Sequence, residues 1–158
     1  MVNKERVQLL VDALRSPEFA GKQGKHRLSS ELTSKITNKQ DVMQYKHCCL
    51  GVACIVAKRA GLNVLFVPRT EPEPVGDGSA TQTYLSWSGV NSYGASHTAL
   101  PEAVLAWYGF DEYDPELRFG RSDETQPASW LNDDLNMTFN QLASAFERTY
   151  LRDGEASA

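Results

Sequence analysis

The sequence lacks the long apolar stretches that would place it in a membrane. No uninterrupted apolar run in its 158 residues approaches the ~20 residues that a bilayer-spanning helix needs. The polar residues 1–6 lack the apolar centre of a signal peptide, so we expect a cytoplasmic protein with no membrane partner. With 11 glycines and 7 prolines, the chain is also too poor in these residues for a collagen-like or largely disordered protein. These absences leave a soluble globular protein.

Cysteine is scarce, and its three positions match no metal or disulfide pattern. Cys48, Cys49 and Cys54 lie in one apolar segment, off the i, i+3 or i+4 spacing of helical metal ligands. An odd number of cysteines without a secretion signal indicates reduced thiols. We therefore expect no metal and no cofactor, with Cys49 and Cys54 as inert core residues.

Positive charge is nearly missing from the later part of the chain. Residues 61–158 carry 5 Lys/Arg against 15 Asp/Glu, whereas residues 1–60 carry 11 against 5, which gives net charges of −10 and +6. Much of the positive charge lies within residues 22–46, either as a solvated loop or as a surface for an anion. The net charge of −4 and the lack of a helix with interleaved basic and aromatic residues argue against duplex nucleic-acid binding.

Hydrophobic periodicity and turn residues predict an α+β protein with a small antiparallel sheet and about four helices. The length predicts a single globular domain over residues 1–152, followed by a disordered tail at 153–158. Helices are predicted at about 3–16, with Asn3 as the N-cap, and at about 47–60, 100–109 and 138–152, with a helical turn at 128–131. Strands are predicted at 62–67 and 81–87 as a long-looped hairpin, at 116–119, and around 28–36.

Two of these helices have specific local signals. The cysteine-containing segment is apolar on every side, which is typical of a buried helix, and Gly61 suits a left-handed cap at its end. Thr138 and Gln141 predict a capping box at the start of the last helix. Asn132 and Asp133 precede that helix, and we interpret them as turn and capping residues.

The basic segment leads directly into the start of the cysteine-containing helix. Backbone N–H groups at a helix start, surrounded by lysines, attract an anion. The sequence therefore predicts a ligand-binding site for a small anion that is formed by Lys25, Arg27, Lys46, His47 and Cys48.

An enzymatic alternative uses the same helix start. A cysteine at a helix N-terminus beside cations has a stabilised thiolate, so Cys48 is a possible nucleophile. His97 or His26 would have to supply the base. This hypothesis describes a thiol-dependent hydrolase.

An ordered set of short motifs runs along nearly the whole chain. It comprises Ala13-Leu14-Arg15-Ser16, Glu18-Phe19, Gln23-Gly24, Leu28, Cys48-Cys49-Leu50-Gly51-Val52, Cys54, Leu100-Pro101, Trp107, Gly109, Leu131-Asn132-Asp133 and Phe139. This order resembles a group of small uncharacterised proteins carried by bacteriophages and by bacterial genomes with prophages. The chain departs from the group in three ways: aliphatic residues replace a tryptophan in the first helix, Ile55 replaces an acid, and the turn after Asp133 is one residue longer. In that turn we expect Asn136 to take the left-handed conformation.

The resemblance implies a viral accessory protein that acts by host interaction or anti-defence in the host cytoplasm, and it supplies no catalytic residues. Together with the basic segment it favours a non-enzymatic binding module that sequesters a small, nucleotide-like anion. Besides the hydrolase, the alternative is an acidic inhibitor whose later part binds a host protein. A homo-oligomer is compatible with each function.

Overall fold

The computed structural model describes residues 1–31, 38–72, 81–90, 95–121 and 123–152. The predicted tail at 153–158 and most of the predicted strand region at 32–36 lie outside the described residues. The α-helices are α1 (Lys4–Arg15), α2 (Cys49–Arg59), α3 (Glu102–Tyr108), α4 (Ala128–Asp133) and α5 (Phe139–Phe146). The strands are β1 (Ser29–Glu31), β2 (Tyr45–His47), β3 (Val64–Pro72), β4 (Thr81–Gly89), β5 (Glu116–Arg118) and β6 (Thr125–Pro127). Short 3-10 helices cover Pro17–Phe19 and Val42–Gln44, and a π-helical turn, Glu147–Leu151, extends α5.

The strands pair in antiparallel fashion throughout. Four of them form one sheet in the order β2-β1-β4-β3, and β5 and β6 form a separate hairpin. The α+β prediction with a small antiparallel sheet is thereby confirmed. None of the helices in the described ranges is long and apolar enough to cross a membrane.

Local signals at the helix ends behave as the sequence predicts. The Asn3 side chain caps α1 by accepting a hydrogen bond from the Arg6 amide. Thr138 and Gln141 form both hydrogen bonds of the capping box at α5. Gly61 and Asn136 take left-handed backbone conformations, with φ of 102° and 56°.

Helix α2 lies in the centre of the molecule. Nine consecutive residues from Cys49 to Ala57 are buried, which confirms the prediction of a buried helix. α1 packs against both α2 and α5, and Tyr108 at the end of α3 donates a 2.8 Å hydrogen bond to the carbonyl oxygen of Ala53 in α2. The helix is therefore enclosed by other elements rather than by solvent.

The four-stranded sheet has one face in the core and one outer face. Leu85 and Trp87 of β4 point into the core, and β2, β3 and β4 contact α2 or α3. Because side chains alternate along a strand, Tyr84 of β4 points to the outer face. Its direct cross-strand neighbours are Ser30 in β1 and Arg69 in β3, so these side chains share that face.

Two short strands, β2 and β6, were not predicted. Each has only three residues, too few for an alternating pattern to stand out from its surroundings. Each owes its extended conformation to a partner strand elsewhere in the chain, β1 for β2 and β5 for β6.

Candidate functional site

The N-terminus of α2, where the sequence predicted an anion, is filled by a buried asparagine. Asn132 is fully buried, and its Oδ1 accepts hydrogen bonds from the Cys49 amide (3.3 Å) and from Gln23 Nε2 (3.0 Å). Its Nδ2 donates to the carbonyl of Gly24 (2.8 Å) and to Asp133 Oδ1 (2.8 Å). An asparagine oxygen thus occupies the first amide of this helix start, and the anion site predicted there stays a prediction.

His47 is fully buried and faces the core. Its Nδ1 lies 2.6 Å from Ser29 Oγ, and its Nε2 lies 3.1 Å from the carbonyl oxygen of Val42. A carbonyl only accepts, so Nε2 carries the proton and the Ser29 hydroxyl donates to Nδ1. Burial lowers the pKa of His47 to about 4. The ring is therefore neutral at neutral pH and contributes no positive charge, and the binding role of His47 stays a prediction.

Cys48 is equally enclosed. Its exposed fraction is 3%, and burial raises the pKa of its thiol to about 12. A thiol with this pKa stays protonated at neutral pH, which argues against an activated nucleophile. The role of Cys48 in ligand binding stays a prediction. Cys49 and Cys54 are fully buried with pKa values raised by burial, as expected for core residues.

The two possible bases lie apart from the thiol. The ring of His97 packs on Tyr84, with ring centroids 5.0 Å apart, on the outer face of the sheet. His26 has a side chain that is 75% exposed, with its Nδ1 3.7 Å from Asp133 Oδ2. The geometry of the described residues joins neither histidine to Cys48, so the hydrolase hypothesis lacks its nucleophile–base pair. Within the same residues, no three His, Cys, Asp or Glu side chains group as metal ligands.

Positive charge gathers instead on the outer face of the sheet. One register row crosses all four strands, from Lys46 in β2 through Ser30 in β1 and Tyr84 in β4 to Arg69 in β3. Directly paired residues lie on the same face of a sheet. The row therefore has a cation at each end and an aromatic ring between them.

The Arg27 side chain packs against the aromatic ring of this row. Its guanidinium carbon is 3.8 Å from the centroid of the Tyr84 ring, a cation–π arrangement. Arg27 Nη2 forms an ion pair with Glu71 at the end of β3. Arg27 Nη1 is buried and has no hydrogen-bond partner among the described residues. We name Arg27, Lys46, Arg69, Tyr84 and His97 the outer-face cluster.

His97 completes the cluster as a neutral group. Partial burial and the nearby Arg27 charge lower the pKa of its imidazole. Its carbonyl oxygen accepts a 2.7 Å hydrogen bond from the Leu28 amide, which fixes the segment that carries it beside Arg27. The cluster thus offers charge from Arg27, Lys46 and Arg69 and a flat ring from His97, with Tyr84 supporting both Arg27 and His97.

The outer-face cluster includes two of the five residues predicted to bind a ligand, Arg27 and Lys46. Lys25 is exposed on the loop before Arg27, and its role stays a prediction. Sequence reasoning missed Arg69 and Tyr84 because they become neighbours only through the pairing of β3 with β4. The alternation of side chains within the predicted hairpin could have shown that Tyr84 points to the other face of the strand from Leu85 and Trp87. It could not have shown that Tyr84 lies beside Arg27.

Neither a protein-family model, nor a curated protein sequence, nor a solved structure matches this chain significantly.

Proposed function

We propose that this protein is a non-enzymatic binding module that sequesters a small, anionic, nucleotide-like ligand on the outer-face cluster. The observation that carries the proposal is the position of Arg27, whose guanidinium lies on Tyr84 between two further cations of one register row. Arginine binds phosphate through two parallel hydrogen bonds, and this arginine has one terminal nitrogen without a partner among the described residues.

The size of the cluster favours a ligand larger than a single phosphate. Strands in a sheet lie about 4.8 Å apart, so the row from Lys46 to Arg69 spans roughly 14 Å. Each charge-assisted hydrogen bond is worth about 1.5–3 kcal/mol, and two or three of them supply about 6 kcal/mol. Contact of a planar base with the His97 ring adds to this and brings micromolar affinity, about −8 kcal/mol, within reach.

A binding role without chemistry is supported by the state of the cysteines. Burial raises the pKa of all three thiols, so each is protonated at neutral pH. A protonated thiol is a poor nucleophile. The accessory role in host interaction or anti-defence implied by the resemblance suits such a module, because sequestration removes a ligand without converting it.

The proposal is tested by thermal unfolding at low salt with a panel of mononucleotides, dinucleotides and cyclic nucleotides. A ligand present at about 100 times its Kd stabilises the protein by about 2.7 kcal/mol, which raises the melting temperature by several degrees. We expect at least one nucleotide to do this and the shift to shrink with added salt, because salt screens the charges.

A double charge reversal within the cluster and a single reversal outside it distinguish binding at the cluster from a general effect of charge. Arg69 and Arg121 are both exposed, but Arg121 lies at the turn between β5 and β6. We expect Arg69→Glu, combined with Lys46→Glu, to abolish the ligand-induced shift, and Arg121→Glu to preserve it. If no nucleotide shifts the melting temperature of the unaltered protein, the ligand proposal fails and the acidic-inhibitor alternative replaces it.

A further inference from the structure

We propose that Glu71 is an internal competitor for the ligand: its carboxylate occupies Arg27 in the free protein, and a terminal phosphoryl group displaces it. This inference rests on the proposed function and specifies which group of the ligand meets Arg27. The geometry that supports it is the one-sided pairing of Arg27 with Glu71.

The Arg27–Glu71 pair uses only part of the guanidinium. Glu71 Oε1 meets Nη2, whereas Nη1 is buried and has no partner among the described residues. A buried N–H without a partner is unfavourable, and a bidentate anion would satisfy both nitrogens. The native pair is therefore weaker than the pair that a phosphoryl group could form with the same arginine.

The two partners differ in how firmly they are held. The Arg27 side chain is only 16% exposed and lies against the Tyr84 ring, while the Glu71 side chain is 38% exposed. Glu71 lies one residue from the end of β3, an edge strand with no neighbour on its far side among the described strands. Arg27 can thus remain in place while the Glu71 side chain rotates into solvent.

Charge then decides which ligands displace Glu71. A phosphate monoester carries about −1.5 to −2 charges near neutral pH. A cyclic phosphodiester carries a single charge, as a carboxylate does, so it gains little over Glu71 in Coulomb attraction. The free protein should therefore prefer ligands with a terminal phosphoryl group.

The test compares adenosine monophosphate with cyclic adenosine monophosphate by titration calorimetry at low salt. The proteins are the unaltered chain, Glu71→Gln, and Glu124→Gln as a control that removes one exposed carboxylate near β6. Thermal unfolding without ligand checks that each variant is folded. We expect Glu71→Gln to tighten binding of both nucleotides by at least about threefold, with the larger gain for the cyclic one, and Glu124→Gln to change neither.

The outcomes separate this inference from the proposed function. Tighter binding to Glu71→Gln, including binding seen only with that variant, supports both. Binding that is equal for the unaltered protein and Glu71→Gln, or weaker for Glu71→Gln, overturns the competitor role while leaving the binding function intact. Binding to neither protein overturns both.

Discussion

His47 is a polar residue whose two ring nitrogens both have hydrogen-bond partners within the core. Its two ring nitrogens bond to Ser29 and Val42, and Trp87 Nε1 donates a 3.2 Å hydrogen bond to the same Ser29 hydroxyl. This network holds the imidazole in one neutral form. Protonation would turn Nδ1 from an acceptor into a donor, so it could no longer accept the hydrogen bond that the Ser29 hydroxyl donates to it.

Acid should therefore destabilise the protein through His47. The pKa of His47 is about 4 in the folded protein, against 6.5 for an ordinary histidine such as that of the unfolded chain. Between pH 4 and pH 6.5, the unfolded chain therefore binds a proton more readily than the folded protein does. The stabilising contribution is complete above the unfolded pKa and is lost as pH falls from about 6.5 towards 4. We expect a loss of about 2 kcal/mol between about pH 7.5 and pH 5, measured by urea unfolding.

Two histidine variants assign this pH dependence. His47→Gln should be less stable at neutral pH but should lose most of the slope between about pH 6.5 and pH 5. His97→Gln is the control, since His97 lies on the outer face and should leave most of that slope in place. An unaltered slope in His47→Gln would refute the assignment.

At the scale of single residues, the sequence predicts roles better where the partner is local. Thr138 with Gln141, Asn3 and Asn136 all act within a few residues of their own position, and each behaves as predicted. Asn132 was interpreted as a turn or capping residue before the last helix, but it lies inside α4 and accepts from the first amide of α2, 83 residues away in the chain. His47 was predicted as part of a basic site because it lies next to lysines, whereas its burial, which keeps it neutral, is not visible in the sequence.

At the scale of elements, several of the short sequence motifs meet at the start of α2. Gln23 and Gly24 bond to Asn132, which also bonds to the first residue of α2, Cys49. Leu28 accepts a 3.1 Å hydrogen bond from the Cys48 amide. Two segments far apart in the sequence, residues 23–28 and Asn132, are thus held at the start of α2, where their hydrogen bonds fix the packing of that helix.

Gly51 sets how closely α2 approaches the segment before β1. A Cβ atom at this position would lie 1.8 Å from the carbonyl oxygen of Leu28. Helix propensity alone favours alanine over glycine by about 1 kcal/mol. Because both sides of this contact are buried and one is backbone, we expect Gly51→Ala to destabilise the protein by about 1–3 kcal/mol or more in urea unfolding.

Gly21→Ala provides the comparison for this prediction. Gly21 has a φ of 74° but open space around its Cβ position, so alanine there adds only backbone strain, about 1–2 kcal/mol. A stabilising effect of Gly51→Ala would contradict the close approach of α2 to Leu28.

For the whole molecule, the charge asymmetry of the sequence was informative but incomplete. The basic first part supplies Arg27 and Lys46, whereas Arg69 comes from the otherwise acidic later part. The fold class and most helices follow from local patterns, but the site depends on sheet order and register. Those depend on contacts between distant strands, which periodicity does not specify.

The proposed anionic ligand binds the outer face of the sheet and not the start of α2. Two-dimensional amide NMR during titration with adenosine monophosphate distinguishes these two places. We expect the largest shifts at Arg27, Arg69 and Tyr84, while the amides of Cys49 and Leu50 change little. Largest shifts at the start of α2, or no shifts at saturating nucleotide, would contradict binding at the outer face.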